Sequence, residues 1–148
     1  MDDISAIGVS VTCIADKSFP SGFSITEFAT DADPFDLPAI DIATTEMNVN
    51  GQMVAFSAPH PIAITLNVIP GSDADENLAI IFEANRAAKN KRHAGDIITM
   101  TAVYPGGGSV TLSEGKMTNG HPSRSPASAG RMKSKTYVFN FQNLSRTR

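Results

Sequence analysis

Residues 61–90 read "PIAITLNVIPGSDADENLAIIFEANRAAKN" and contain the two patterns that decide the fold. Apolar side chains stand at every second position from Ile62 to Val68, which predicts a β-strand with one buried face. Ser72 then offers a side-chain oxygen that can cap a helix. Acidic residues follow it in the first turn and basic residues come near the end, as the helix dipole favours. The stretch therefore predicts a strand that leads directly into a helix over about residues 73–92.

Strand-like alternation dominates the rest of the chain. Asn50 and Gly51 lie between two such runs and are a strong signal for a β-hairpin. Pro20 and Gly22 predict a turn after the first strand. No linker divides the sequence, so we expect a single, mainly β domain over residues 1–148. The strands are predicted within residues 4–15, 23–30, 40–58 in two halves, 61–70, 96–105, 108–117 and 135–143.

Two long segments show neither strand alternation nor the pattern of a helix. Residues 31–41, "DADPFDLPAID", hold two prolines and four acidic residues. Because proline cannot donate to a strand ladder, we expect an exposed acidic loop outside the sheet. Residues 118–134, "TNGHPSRSPASAGRMKS", are basic and rich in Ser, Pro and Gly. Loops of this length are usually functional or disordered.

Three consecutive glycines at 106–108 precede Gly115 and Lys116 and raise the question of a phosphate-binding loop. Such a loop needs the pattern G-x-x-x-x-G-K-[ST]. Val110 stands where the first glycine is required, and Met117 stands where the hydroxyl is required. The segment also lies between two strand-like runs, whereas a phosphate loop joins a strand to a helix. The glycines therefore predict a hairpin turn.

Side chains suited to catalysis or metal binding are scattered. His60, His93 and His121 lack the spacing of metal ligands on one element. The acidic loop lacks the glycine and glutamate that a calcium loop requires. Cys13 lies in the apolar run "VTCIA", which predicts a buried side chain. The sequence thus predicts no catalytic residue, no enzymatic activity, no cofactor and no metal site.

Alternating aromatic residues near the C-terminus allow two interpretations. Tyr137, Phe139 and Phe141 share one face of the last predicted strand. With the basic residues before them, they could form a platform on which nucleic-acid bases stack. The same alternation is what a buried sheet face needs, and we favour the core.

The charges are divided unevenly along the chain. Residues 1–83 carry thirteen acidic residues and one basic residue, and residues 84–148 carry two acidic and eleven basic residues. The two parts thus have charges of −12 and +9, which make up the net charge of −3. The division is compatible with nucleic-acid binding, with attraction between copies, or with charges that mix on the folded surface.

No apolar run approaches the length of about 20 residues that spans a membrane. The segment "MDDISAIGVS" has acidic residues where a secretory signal has basic ones. We therefore expect the protein to stay in the compartment where it is made.

The order of these parts resembles the tail tube proteins of long-tailed bacteriophages, which are similar to the tube proteins of contractile injection systems. The resemblance rests on the strand and helix of residues 59–90, the hairpin of residues 97–117, and the closing residues 125–141, "SPASAGRMKSKTYVFNF". It implies an antiparallel β-sandwich or partial barrel with one flanking α-helix and long loops.

The resemblance also implies a structural virion protein without a small-molecule substrate. Six copies would form a ring, and stacked rings would form the tail tube through which DNA is delivered without specific binding. The expected partners are further copies of the chain and the sheath, baseplate and tail-terminator proteins. The expected location is the virion tail, after assembly in the host cytoplasm. Candidate inter-subunit loops contain Asp31, Asp33, Asp36, Asp41, Gly106, Gly107, Gly108, Arg124, Arg131, Lys133 and Lys135.

Two other functional classes remain open. A small hydrolase or sugar-binding β-sandwich would need a concave pocket with convergent polar side chains, which the sequence does not indicate. A nucleic-acid-binding β-module would use basic residues of the second half as phosphate contacts. Those residues are Lys89, Lys91, Arg92, Arg124, Arg131, Lys133 and Lys135.

Overall fold

A computed structural model describes residues 9–26, 28, 35–123 and 134–147 of the chain. Over these residues the fold is mainly β with one helix, which confirms the predicted fold class. No helix in the described part of the chain has the length and hydropathy of a membrane-spanning helix. The elements are β1 (Ser10–Ala15), β2 (Phe19–Ile25), β3 (Phe35–Asp36), β4 (Ala43–Met47), β5 (Met53–Ser57), β6 (Ile62–Val68), α1 (Asp73–Asn85), β7 (Ile98–Val103), β8 (Ser109–Asn119) and β9 (Lys135–Thr147).

Seven strands form one antiparallel sheet in the order β2-β1-β7-β8-β9-β6-β3, and β4 and β5 form a separate two-stranded sheet. Phe28, which follows β2, makes an isolated bridge to Val68 on β6. The large sheet must therefore curve until its two sides approach each other. It is not closed into a barrel.

The core lies between the inner face of this sheet and one side of α1. The predicted alternation from Ile62 to Val68 is confirmed, because the residues at every second position of β6 are buried. Leu78 and Ile81 of α1 pack into the same core. Cys13 is fully buried, as predicted, and burial, reinforced by the negative charge of Asp96, raises the pKa of its thiol to about 12.

The aromatic residues of β9 belong to the core. Tyr137, Phe139 and Phe141 are at most 1% exposed, and the rings of Phe139 and Phe141 stack with centroids 6.2 Å apart. The preferred sequence interpretation is confirmed. The alternative, a base-stacking platform, is wrong because these ring faces are not accessible.

The helix begins as predicted and ends earlier. The hydroxyl of Ser72 caps its first turn. Arg86 already has extended backbone, so α1 ends about two turns before the predicted boundary. The side-chain amide of Asn85 donates to the carbonyl of Ile81 at 2.8 Å and to the carboxylate of Asp96 at 2.9 Å. These bonds hold Asn85 at the point where the chain leaves the helix.

The basic residues predicted for the last helical turn lie beyond it. Ala88 and Lys91 pair in a tight turn of their own. Lys91 nevertheless reaches back, and its Nζ donates to the backbone carbonyl of Glu83 and lies 3.1 Å from its carboxylate. Hydrogen bonds from Arg86 and Lys91 lower the pKa of the exposed Glu83 to about 2.

The turn predicted at Pro20 and Gly22 is wrong, because both residues lie within β2. The chain turns at residues 16–18, and the register between β1 and β2 shifts between Cys13 and Ala15. Pro20 and Gly22 thus occupy a bulge. β2 is an edge strand, where proline sacrifices no hydrogen bond of the sheet, and Gly22 adopts a φ of 78°.

The expectation of an acidic loop wholly outside the sheet is also wrong. Phe35 and Asp36 form β3 and pair with Leu66 and Thr65 on the outer side of β6. Only an edge position is compatible with the neighbouring prolines, because there the missing N–H groups are not needed.

Asp96 connects the turn between β1 and β2 to the end of α1. Its buried carboxylate accepts hydrogen bonds from the backbone N–H groups of Lys17 and Ser18 at 3.0 Å each, and from the Ser18 hydroxyl at 2.6 Å. The amide of Asn85 adds a further bond. Burial raises the pKa of this carboxyl, but the hydrogen bonds outweigh burial and hold the pKa below its ordinary value.

We expect Asp96→Asn to lower the free energy of unfolding by about 1–3 kcal/mol at neutral pH, because the amide cannot accept all of these bonds. The lowered pKa means that the carboxylate stabilises the fold above its unfolded-state pKa of about 3.9. That stabilisation is lost as the pH falls through the folded-state pKa. Urea unfolding between about pH 5 and pH 2 should therefore show a shallower loss of stability in the variant than in the native protein. The control is Asp41→Asn at an exposed position, and equal slopes for Asp96→Asn and the native protein would contradict the prediction.

A second prediction concerns Gly115 on β8. A Cβ atom at this position would overlap the ring of Phe141 on the neighbouring strand. We expect Gly115→Ala to lower the free energy of unfolding by about 1–3 kcal/mol through overpacking, measured by thermal or urea denaturation. Phe141→Leu should restore part of the loss in the Gly115→Ala background. Ser113→Ala on the same strand is the control, and unchanged stability of Gly115→Ala would refute the packing argument.

Candidate assembly surface

Residues 42–57, here called the arm, form a hairpin that is separate from the main sheet. In the described structure, β4 and β5 pair only with each other, and every residue of both strands is exposed. The side chain of Asn48 holds the turn by accepting from the backbone N–H groups of Asn50 at 3.0 Å and Gln52 at 2.9 Å. Gly51 adopts a φ of 78°. The predicted Asn50-Gly51 hairpin is confirmed, with residues 48–52 as its connection.

The arm exposes apolar side chains on both faces. Val49 at the tip is fully exposed, and Met47 and Met53 form a cross-strand pair beside it with exposures of 66% and 68%. Ile42 at the base is 79% exposed, and Phe56, on the opposite face from the methionines, is 56% exposed. A two-stranded hairpin alone is marginally stable in water, and contiguous exposed apolar surface marks an interaction site. The arm is therefore suited to contact another protein surface.

Among the described residues, further strand edges of the main sheet have no partner. In this part of the chain, β2 pairs with β1 on one side only. Phe141 is the last residue of β9 that pairs with β6, so in the described structure residues 142–147 have β8 as their only neighbour. Unpaired N–H and C=O groups along such edges are a template for strand pairing with another chain.

Glycines 106–108 form the tip of the β7–β8 hairpin, which confirms the predicted turn. Gly107 and Gly108 adopt φ angles of 94° and 88°, and the N–H of Gly107 donates to the carbonyl of Tyr104 at 3.2 Å. The tip borders an open cleft of about 660 Å³ that also contacts Arg146 and Thr147.

A groove of about 470 Å³ lies where the chain enters β6. One wall is formed by Pro59, His60 and Pro61, and the other by residues of β8 and β9. Most of its exposed lining surface is apolar, although five of the eight lining residues carry polar or charged groups. We call it the proline groove, and its residues are Pro59, His60, Pro61, Glu114, Lys116, Asn140, Phe141 and Gln142.

Of the candidate acidic residues, two are described by the structure. Asp36 is exposed on β3, and Asp41 is exposed between β3 and the arm. Asp41 borders a smaller hollow of about 290 Å³, which shares His60 and Pro61 with the proline groove. Their contact with another subunit stays a prediction. The candidates that lie outside the described residues are Asp31, Asp33, Arg124, Arg131 and Lys133.

Lys135 is the first residue of β9, as the strand predicted over residues 135–143 requires, and it is 5% exposed, so its assignment to an inter-subunit loop is wrong. Its Nζ lies 3.0 Å from Oδ1 of Asp75 at the start of α1. The Tyr137 hydroxyl donates to the same oxygen at 2.9 Å, and the N–H of Gly71 donates to Oδ2 at 2.9 Å. Burial and the adjacent carboxylate raise the pKa of Tyr137. The Lys135 ammonium is occupied inside the fold and is not accessible to a phosphate.

We expect Lys135→Met to lower the free energy of unfolding by about 3–5 kcal/mol, because it leaves the Asp75 carboxylate buried without its cation. The double variant Asp75→Asn/Lys135→Met should lose less stability than the sum of the two single variants, since both charges are removed together. Urea denaturation measures each value. Lys116→Met, at an exposed lysine of β8, is the control, and a Lys135→Met protein as stable as the native one would contradict the prediction.

The other polar residues that were candidates for phosphate contacts or metal binding do not come together in one site. Lys89 and Arg92 are exposed, and Lys91 is engaged by Glu83. Within the described ranges, no group of three or more His, Cys, Asp or Glu residues could hold a metal ion.

A comparison with protein families matches residues 2–145 to the family described as tail fiber protein gp32. The chain belongs to this family. No curated protein sequence matches it.

Solved structures with a similar fold include chains of contractile injection systems. A chain of the sheath/tube terminator of the PVC extracellular contractile injection system, in its extended state, has a TM-score of 0.58 at 11% identity, with 100% of this chain and 99% of that chain covered. The tube terminating cap of the anti-feeding prophage has a TM-score of 0.56 at 14% identity, with 99% and 92% covered. A chain of the anti-feeding prophage baseplate has a TM-score of 0.60 at 11% identity, with 99% and 96% covered.

Family membership and fold together identify a structural, tail-related protein with a tube-like fold. The resemblance derived from the sequence is confirmed at this level. The arm was not among the segments predicted for inter-subunit contacts. Its sequence signal is that residues 42–57 carry apolar residues on both faces of a hairpin and a single charge, Glu46.

Proposed function

We propose that the chain is a ring-forming subunit of a phage tail tube. Six copies form a ring, and rings stack into the tube through which DNA is delivered. The proposal is supported by membership in a tail protein family and by similarity over nearly the full length to terminator, cap and baseplate chains. It implies a location in the virion tail, after assembly in the host cytoplasm, and no enzymatic activity.

The observation that carries the proposal is the arm. Its apolar side chains are exposed along both strands, and no described residue of the main sheet pairs with it. Covering the arm removes apolar surface from water, and this stabilises an assembly by about 25 cal/mol per Å² of that surface. A protein that works as a monomer would gain nothing from keeping this surface exposed, whereas a subunit of a larger assembly covers it with a neighbour.

Ring closure would use the open strand edges. If β2 of one copy pairs with residues 142–147 of the next, the contact joins two different surfaces. A contact of this heterologous kind closes into a ring when its rotation closes. Strand pairing also removes the exposed edges that make a free sheet liable to aggregate.

The unequal charges are compatible with association between copies and with a tube that does not retain DNA. Where the segments with charges of −12 and +9 form separate surfaces, those surfaces would orient neighbouring copies. An acidic lumen would let DNA pass, because binding of phosphates depends on basic contacts. Sheath, baseplate and tail-terminator proteins would contact the outside and the ends of such a tube.

Negative-stain microscopy and analytical ultracentrifugation of the purified protein at high concentration test the proposal. We expect rings or tubes of uniform diameter and a hexameric species. A strictly monomeric protein at every concentration and ionic strength would contradict it. Filter binding gives the competing outcome, because DNA retention that falls steeply with salt would favour a nucleic-acid-binding module.

We expect Val49→Asp/Met53→Asp to abolish assembly while leaving the monomer folded. Both side chains are exposed on the arm, so the change in monomer stability should stay within about 0.5 kcal/mol. Charges in the covered interface would in contrast carry a desolvation cost. Sedimentation velocity measures the oligomer, and circular dichroism measures the fold. Ile80→Asp, at an exposed apolar position on α1, is the control, and rings from the double variant would exclude the arm from the interface.

A further inference from the structure

Asparagine is followed by glycine at two places in the chain, Asn50-Gly51 and Asn119-Gly120. In this dipeptide the backbone nitrogen of the glycine can attack the side-chain amide of the asparagine, because glycine has no Cβ atom to obstruct the approach. Both asparagines are exposed to solvent. The sequence and the accessibility of the side chains therefore do not distinguish the two sites, and only the backbone around each site does.

We propose that Asn50, at the tip of the arm, is a site of spontaneous deamidation, whereas Asn119 is protected by the sheet. The consequence for assembly rests on the proposed function, because it requires that a neighbouring copy covers the arm. The modification itself requires only the single chain.

The reaction consumes water and releases ammonia. The backbone nitrogen of Gly51 loses its proton to solvent base and forms a bond to Cγ of Asn50, while the bond from Cγ to Nδ2 breaks and Nδ2 leaves as ammonia. The product is a cyclic imide. Water then opens the imide at either carbonyl, which gives an aspartate or an isoaspartate at position 50. Both products carry an ionised carboxylate at neutral pH, so the tip of the arm gains a negative charge.

The turn at Asn50 has the freedom that this reaction needs. Among the described residues, the Asn50 side chain has no hydrogen-bond partner, and a Cβ atom at Gly51 would meet no atom within 4 Å. The Gly51 N–H donates to the carbonyl of Asn48 at 3.0 Å, so this bond must open first. Opening is easy because, in the described structure, β4 and β5 pair only with each other, and a lone hairpin is marginally stable.

The sheet restrains the backbone at Asn119. This residue is the last of β8 and pairs with Val138 on β9. A Cβ atom at Gly120 would lie 2.8 Å from the ring of Phe82 and 2.9 Å from the ring of Tyr137, so the glycine backbone packs closely against two aromatic side chains. Rotation of the peptide toward the cyclic imide would break this packing and the strand pairing. The second site is therefore a control within the same chain.

Deamidation at Asn50 would act on free subunits and spare assembled ones. When a neighbour covers the arm, the turn no longer opens. In a free copy the new carboxylate stands next to Val49, which is fully exposed. Burying this charge in an apolar interface without a partner is unfavourable. The reaction thus removes aged free subunits from the pool that can assemble.

Peptide mapping by mass spectrometry tests the selectivity. The purified protein is kept at mildly alkaline pH, below the concentration at which it assembles, and the fractions of aspartate and isoaspartate are followed at positions 50 and 119. We expect Asn50 to convert at least about ten-fold faster than Asn119 in the folded protein, and both to convert at similar rates in urea, where turn and sheet are lost. Equal rates in the folded protein, faster conversion of Asn119, or no conversion of Asn50 would overturn the inference.

Two variants test the effect of the new charge on assembly. Asn50→Asp introduces the carboxylate, and Asn50→Gln keeps a neutral amide. We expect Asn50→Asp to raise the protein concentration needed for ring formation by at least about ten-fold, measured by sedimentation velocity, and Asn50→Gln to assemble as the native protein does. Asn90→Asp, at an exposed position outside the arm, is the matched control and should have no effect. Normal assembly of Asn50→Asp would overturn the effect on assembly.

Rings of the native protein provide the last comparison. We expect Asn50 to convert at least about ten-fold more slowly in rings than in the free chain. Equal rates would show that the tip of the arm stays open in the assembly, which overturns the protection and leaves the proposed function intact. Selective conversion of Asn50 in a protein that never forms rings would support the modification and contradict the proposed function.

Discussion

The buried ion pair between Asp75 and Lys135 is the contact on which the arrangement of helix and sheet depends. The Asp75 carboxylate receives the ammonium of Lys135, the hydroxyl of Tyr137 and the N–H of Gly71. These partners attach the first turn of α1 to the first residues of β9 and to the end of the loop after β6. A buried charge is tolerated only when it is paired and hydrogen bonded, so the network admits little variation in where the helix begins. Asp96 makes a comparable attachment at the other end of the helix through Asn85 and the turn after β1.

With both ends of α1 held, the core is filled from one face of the curved sheet. Among the described residues, three surfaces suited to association are left without a partner. The edge of β2 and residues 142–147 of β9 have open backbone groups, and the arm has exposed apolar side chains. Each of these features is costly for an isolated monomer and useful for a subunit. A structural role in a tail assembly accounts for all three together.

The sequence predicts local structure correctly wherever neighbouring residues determine it. The cap at Ser72, the hairpin at Gly51, the glycine turn and the buried face of β6 follow from spacing and backbone preference alone. The errors have a common origin in tertiary context. Pro20 predicts a turn from local sequence, but β2 is an edge strand and can contain a proline. β3 forms because it pairs with the outer side of β6, which no local pattern indicates. The helix ends early because Asn85 bonds to Asp96, eleven residues further along the chain.

The sequence by itself determined a mainly β domain with one capped helix and assigned its buried strand faces, because periodicity and capping act over a few residues. Only the tertiary structure decided that Lys135 is a buried partner of Asp75, since Lys135 follows Asp75 by 60 positions in the sequence and no local pattern links the two. It likewise decided that the arm is exposed on both faces. Whether the faces of the arm are exposed depends on which surfaces the rest of the chain covers, and the pairing of all the strands determines that.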